Sequence, residues 1–188
     1  MDLIVAPGTL LASAPDMLDP NFMHTVVLMC QHTAAGAYGL VVNKPAGVTI
    51  GRLLSDHPRL GADEFPVCWG GPVGMDTLQI VHRLGDEVPG GMQISAGVHL
   101  GGDLDAIADA IAADRAGALA RLRFVIGYSG WGEGQLDGEL AGGAWLPAPL
   151  RPDLVFERRQ HPTWRRVIRS IGRDIAGLED LPPDVSWN

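Results

Sequence analysis

Residues 127–136 read GYSGWGEGQL, four glycines among ten residues, and they overlap the end of the strand-like apolar run 122–128. Each glycine loses more conformational entropy on folding than any other residue. Such clustering must be offset by positive φ, by close backbone approach or by room for a ligand. Whatever fold the chain adopts has to use that freedom.

Around this segment, short runs rich in Val, Ile and Leu recur at 10–14, 25–31, 38–43, 66–70, 77–82 and 122–128, each bounded by Gly, Pro, Asn or Asp. They predict strands. Between Gln31 of the second and Gly39 of the third lies only His32-Thr-Ala-Ala-Gly-Ala-Tyr38. That connection suits a hairpin rather than a helical crossover, so part of the sheet is expected to be antiparallel. Helical spacing is clear at 103–116, where Leu104, Ile107, Ala108 and Ile111 share a face behind Asp103 and Asp105, and at 163–173, where Trp164, Val167, Ile168 and Ile171 do the same. Shorter helices are expected near 50–56 and 133–140, and an irregular tail from about residue 178.

With 188 residues, 46% of them hydrophobic, the chain is expected to form one domain over residues 1–188 around a packed core. No apolar run approaches the roughly 18 residues that a membrane-spanning helix needs. The opening Met1–Ala14 lacks a basic region, carries Asp2 and is broken by Pro7-Gly8, so it reads as a strand rather than a signal peptide. Two cysteines, Cys30 and Cys68, do not demand an oxidising compartment, which makes the cytoplasm the default expectation.

The net charge of −8 is unevenly spread. Seven arginines against Asp153 and Glu157 give residues 151–173 a balance of +5, leaving −13 on the remainder. Most of this surface would repel nucleic acid. Arg165, Arg166, Arg169 and Arg173 could reach an acidic partner, but their simpler reading is a solvated face paired with the acidic rest of the chain.

Five motifs in order carry a resemblance: Asp19-Pro-Asn-Phe22; His24-Thr-Val-Val-Leu-Met-Cys30 with His32; Gly39-Leu-Val-Val-Asn-Lys-Pro45; Gly70-Gly-Pro-Val73; and Gly127 to Leu136 followed by Glu139-Leu140. From about Gly8 to the Trp164 helix, the chain resembles the YqgE/AlgH family of bacterial proteins. The resemblance implies an α+β domain with a bifurcated, partly barrel-like, mainly antiparallel sheet flanked by helices. It implies no settled activity, and family members are often labelled transcriptional regulators. Trp69, Glu133 and Ser129 depart from residues common in the family at these positions.

Chemistry is sparse. Gly127-Tyr-Ser-Gly-Trp131 lacks the second glycine of a Gly-x-Ser-x-Gly elbow, and the family often has alanine at Ser129, which argues against a nucleophile there. Neither a P-loop nor Gly-x-Gly-x-x-Gly is complete, and no metal set or cofactor is expected. Cys30-Gln-His32 would put thiol and imidazole on one strand face, where an imidazolium could activate a thiolate; this supports a redox or enzymatic alternative. The leading expectation is a non-enzymatic binding or regulatory protein with an unidentified ligand or protein partner. Gly70-Gly71 and the 127–134 segment would meet at a recess walled by Trp69, Tyr128 and Trp131. Asn43, Lys44, Ser129 and Gln135 would add polar contacts, beside Cys30 and His32.

Overall fold

The computed structural model describes residues 3–157 and 162–172. These form one ten-stranded sheet with six α-helices against it, an α+β architecture. The strands are β1 (Leu10–Ser13), β2 (Val26–Thr33), β3 (Gly36–Val41), β4 (Pro45–Thr49), β5 (Pro66–Trp69), β6 (Val73–His82), β7 (Met92–Ser95), β8 (Val98–Leu100), β9 (Leu122–Trp131) and β10 (Trp145–Ala148). The helices are α1 (Ile50–Leu53), α2 (Leu104–Ala113), α3 (Arg115–Arg121), α4 (Gln135–Ala141), α5 (Pro152–Val155) and α6 (Thr163–Ser170). No helix among the described residues is long and apolar enough to cross a membrane.

The main ladder runs β10-β1-β2-β3-β9-β6-β8-β7 and does not close on itself. It forks at β9. One edge of β9 pairs with β6 from Leu122 to Tyr128, with a register irregularity between Leu78 and Val73, while the other is divided. Phe124–Ile126 pair in parallel with Val67–Trp69 of β5, and Ser129–Trp131 pair antiparallel with Ala37–Gly39 of β3. Between the two halves lies Gly127 at φ 69°. Its left-handed backbone shifts the alternation of the strand by one residue. Before it, Leu122 and Phe124 face a core beneath α1, α2 and α3; after it, Tyr128 packs on the opposite core, against α5 and α6.

One expected helix is two. Asp114 (φ −150°, ψ 88°) ends α2, and its carboxylate accepts a 2.9 Å bond from the Gly117 amide to start α3. Asp103 caps α2 in the same way through the Ala106 amide. Aspartate satisfies first-turn amides better than it continues a helix. Four strands had no clear sequence signal: β4 and β10 contain proline, and β7 and β8 are only four and three residues long. Arg173 and the tail from about 178 lie outside the described residues.

The prolines of β10 have a geometric reason. The Ala14 amide bonds the Ala144 carbonyl at 2.9 Å, and the β1–β10 register continues through Ala12 opposite Leu146 and Leu10 opposite Ala148. Residues 144, 146 and 148 therefore turn their backbone groups toward β1, and 145, 147 and 149 turn theirs outward. Two of those outward positions are Pro147 and Pro149. The edge presents carbonyls but almost no amides, which blocks strand addition from outside.

At the far end of the sheet, His82 is fully buried. Its Nδ1 accepts from the Leu84 amide at 3.2 Å, so Nε2 carries the proton and donates to the Gly101 carbonyl at 3.0 Å. The His99 ring stacks on it at 5.3 Å. Burial first, and the neighbouring His99 second, hold the His82 pKa below its ordinary 6.5. The unfolded chain therefore binds more protons between the two values, so stability is complete above about pH 6.5 and is lost as pH falls toward the folded value. Urea midpoints should decline between about pH 7.5 and pH 5.5. His82→Asn, whose Oδ1 can take the Leu84 bond without titrating, should flatten that decline; an unchanged slope would contradict the assignment.

Candidate functional site

The two glycine segments do meet, but as a closed backbone crossing. The Gly70 amide donates to the Ile126 carbonyl at 2.8 Å, and the Gly70 carbonyl accepts from the Val41 amide at 2.9 Å and the Ser129 hydroxyl at 3.1 Å. A Cβ on Gly71, at φ 149°, would stand 2.1 Å from the Tyr128 carbonyl carbon, and one on Gly70 would stand 2.4 Å from the Gly127 oxygen. The Gly70 main-chain groups are consumed by the crossing instead of facing a recess. Ser129, 1% exposed, is one of its struts.

The indoles are occupied as well. Trp131 and Trp145, both buried, pack edge to face with centroids 5.8 Å apart, and Phe22 adds a second edge contact to Trp145. Both indole N–H groups donate to the same Glu139 oxygen, at 2.8 and 2.7 Å. The other Glu139 oxygen accepts from Gln135 Nε2 at 2.9 Å, while Gln135 Oε1 accepts from the Gly132 amide. Glu139 thus docks α4 on the sheet. Trp145 escaped the sequence reading, and Phe22 entered it only as part of a motif, because nothing in their neighbourhoods marks them as neighbours in one aromatic cluster with Trp131.

Asn43 is a strut between strands: Oδ1 accepts from the Val26 amide at 2.7 Å, and Nδ2 donates to the His24 carbonyl. Lys44 bonds the carbonyls of Pro20 and Asn21 and lies 5.6 Å over the Trp69 ring. On α6, Arg166 pairs with Asp153 and Glu157, and nearby Arg151 grips Asp153 through two bonds. Arg165 and Arg169 also sit on α6.

Cys30 and His32 part company. The register of β2 on β3 slips between Met29 and Gln31, so strict alternation is broken at Cys30. Cys30 stays in the core beneath α6, where burial pushes its thiol up to about 12 and also, as the largest cause, pushes Tyr38 upward. His32 turns to the side of Val5 and α4. Its Nδ1 lies 3.0 Å from the Val5 carbonyl and its Nε2 3.2 Å from the Asp137 carboxylate. The expectation of one shared face fails because a bulge leaves no mark in the sequence.

Among the described residues, His32 and Asp137 are the ionisable groups of an open cleft of about 760 Å³. Trp145 and Leu140 line it from one face of the sheet, Leu146 and Ile171 from the other, so it runs along the outer edge of β10, beneath the N-terminal segment Leu3–Val5. Leu3 and Ile4 are 44% and 85% exposed. Of the residues picked out from the sequence, His32 alone lines this cleft. Asp137 and Leu140, three apart on α4, and the alternate prolines 147 and 149 were the available signals. Among the described residues no three His, Cys, Asp or Glu side chains converge as a metal set.

A family model described as AlgH-like matches residues 10–176. A UPF0301 protein of Chlorobaculum tepidum is 35% identical over 184 residues, covering 95% of each chain. A UPF0301 protein of Anaeromyxobacter dehalogenans is 37% identical, covering 93% of this chain and 91% of the relative. The solution structure of AlgH from Pseudomonas aeruginosa superposes with a TM-score of 0.71 at 26% identity, over 96% of this chain and 97% of that one. A crystal structure from Corynebacterium diphtheriae, at 21% identity and a TM-score of 0.73, shares the fold over 95% of this chain and 92% of its own.

Removing the Glu139 carboxylate strands two buried indole donors. Glu139→Leu should cost about 2–3 kcal/mol in chemical denaturation and shift tryptophan emission to the red, with Glu139→Gln intermediate. Loss of less than about 0.5 kcal/mol for Glu139→Leu would show that the clamp contributes little.

Proposed function

This chain belongs to the AlgH-like family, and on that premise we propose that it is a non-enzymatic binding protein, acting as a regulator through a ligand held in the cleft along β10. One observation carries this reading: an open cleft of about 760 Å³ with apolar walls and one convergent polar pair, His32 and Asp137. Ligand sites commonly fall between about 300 and 1,000 Å³ and combine such walls with a few placed polar groups.

Catalysis has less support. The Ser129 hydroxyl is buried and bonded to a carbonyl, and Cys30 holds its proton at neutral pH in an apolar core. If the family's label of transcriptional regulator holds here, control would pass through the ligand or a protein partner rather than direct DNA contact. The acidic balance of the chain and the pairing of Arg151 and Arg166 with Asp153 and Glu157 both favour that route. Cys30 and Cys68 are buried thiols, which suits the cytoplasm as the proposed compartment.

Ser170, exposed at the last position of α6, lines the cleft without entering the core. A screen of small apolar probes by amide NMR should shift the signals of His32, Leu140, Trp145 and Ile171. Ser170→Phe, which fills the space, should abolish those shifts with the melting point unchanged. Shifts that survive the substitution, or that cluster elsewhere, would refute the cleft as the site.

A further inference from the structure

Resting on that reading of the cleft, we infer the chemical class of its occupant: an organic cation with an apolar body and an ammonium head. The argument is a count of hydrogen-bonding groups. The side-chain donors that line the cleft among the described residues are already engaged. His32 faces the Val5 carbonyl and Asp137 with its two nitrogens, and the Ser170 hydroxyl donates to the Val167 carbonyl at 2.6 Å. Of the outward positions along β10, Pro147 and Pro149 have no amide hydrogen to offer, which leaves Trp145 as the one outward amide of that edge.

Acceptors remain. Asp137 has a side chain 68% exposed, and a carboxylate with a single side-chain neighbour, His32, keeps further lone pairs. The carbonyls of Trp145 and Pro147 point away from β1 along the cleft edge. A carboxylate or phosphate ligand needs donors from the protein and would find no unengaged side-chain donor among the described lining residues, only scattered main-chain amides, beside the negative Asp137. An ammonium brings its own three donors to a carboxylate and a row of carbonyls. Leu140, Leu146 and Ile171 supply the apolar wall for its body. No lysine or arginine lines the cleft among the described residues. The chain's net charge of −8 also draws cations toward it.

The test compares three probes of similar size, n-hexylammonium, n-hexanol and n-hexanoate, titrated into the full chain and into Asp137→Asn, with affinities read from the amide signals of Leu140, Trp145 and Ile171. Asp137 is exposed enough that the substitution should leave the melting point in place. Hexylammonium should bind about three- to fivefold tighter than hexanol, the scale of a half-exposed charge pair, and hexanoate weakest. Asp137→Asn should erase the preference for the cation and leave hexanol binding as it was. Hexanoate binding as tightly as hexylammonium, or a preference that survives in Asp137→Asn, would overturn the cation assignment while the cleft stands. Failure of all three probes to move these signals would overturn the cleft reading and this inference with it.

Discussion

The contact of Gly70-Gly71 against Gly127-Tyr128 governs this structure. Two chain segments some 57 residues apart cross at backbone distance, where a side chain on Gly71 would occupy the same space as the Tyr128 carbonyl. Hydrogen bonds from Val41, Ser129 and Gly70 itself close the crossing on three sides. The fork of the sheet follows from it. Immediately before the crossing β9 pairs with β5, immediately after it with β3, and the two pairings run in opposite senses. Without so close an approach, β5 and β3 could not share one edge of the same strand.

The fork in turn sets where open space remains in the fold. By closing the junction and re-phasing β9 at Gly127, it buries Trp131 on the face that α4 covers, and Glu139 locks that helix down through two indoles. The open space is displaced to the rim of the sheet. There β10 ends the ladder, and its prolines keep other strands from pairing with it. An edge that rejects backbone partners but keeps outward carbonyls beside an exposed carboxylate is suited to small donors rather than to another sheet. Net negative charge over most of the surface reinforces that preference.

Much of the fold was legible in the sequence because it rests on local signals. The six short apolar runs became β1, β2, β3, β5, β6 and β9, and the β2–β3 hairpin was marked by its short connection. What escaped depends on tertiary contact. Strands such as Pro45–Thr49 and Trp145–Ala148 gave no strand signal because proline masks an edge position. The site was legible only in part. Glycine clustering pointed correctly to a meeting of segments 70–71 and 127–134, but the same residue type serves an open recess and a tight crossing, and only coordinates distinguish them. His32 was singled out for the wrong neighbour, since the slip after Met29 exchanged Cys30 for Asp137 as its companion.

The dependence of the whole on the crossing is open to one direct measurement, the unfolding free energy of Gly71→Ala beside Gly138→Ala. Gly138 lies within α4 with nothing near its missing Cβ, so alanine there should stabilise by about 0.5–1 kcal/mol. At Gly71 the added carbon meets backbone that cannot move without opening the fork, and the account predicts a loss of about 3 kcal/mol or more, or failure to fold. A Gly71→Ala protein within about 1 kcal/mol of the parent would mean that the strands hold their forked pairing without the close approach, contrary to the account given.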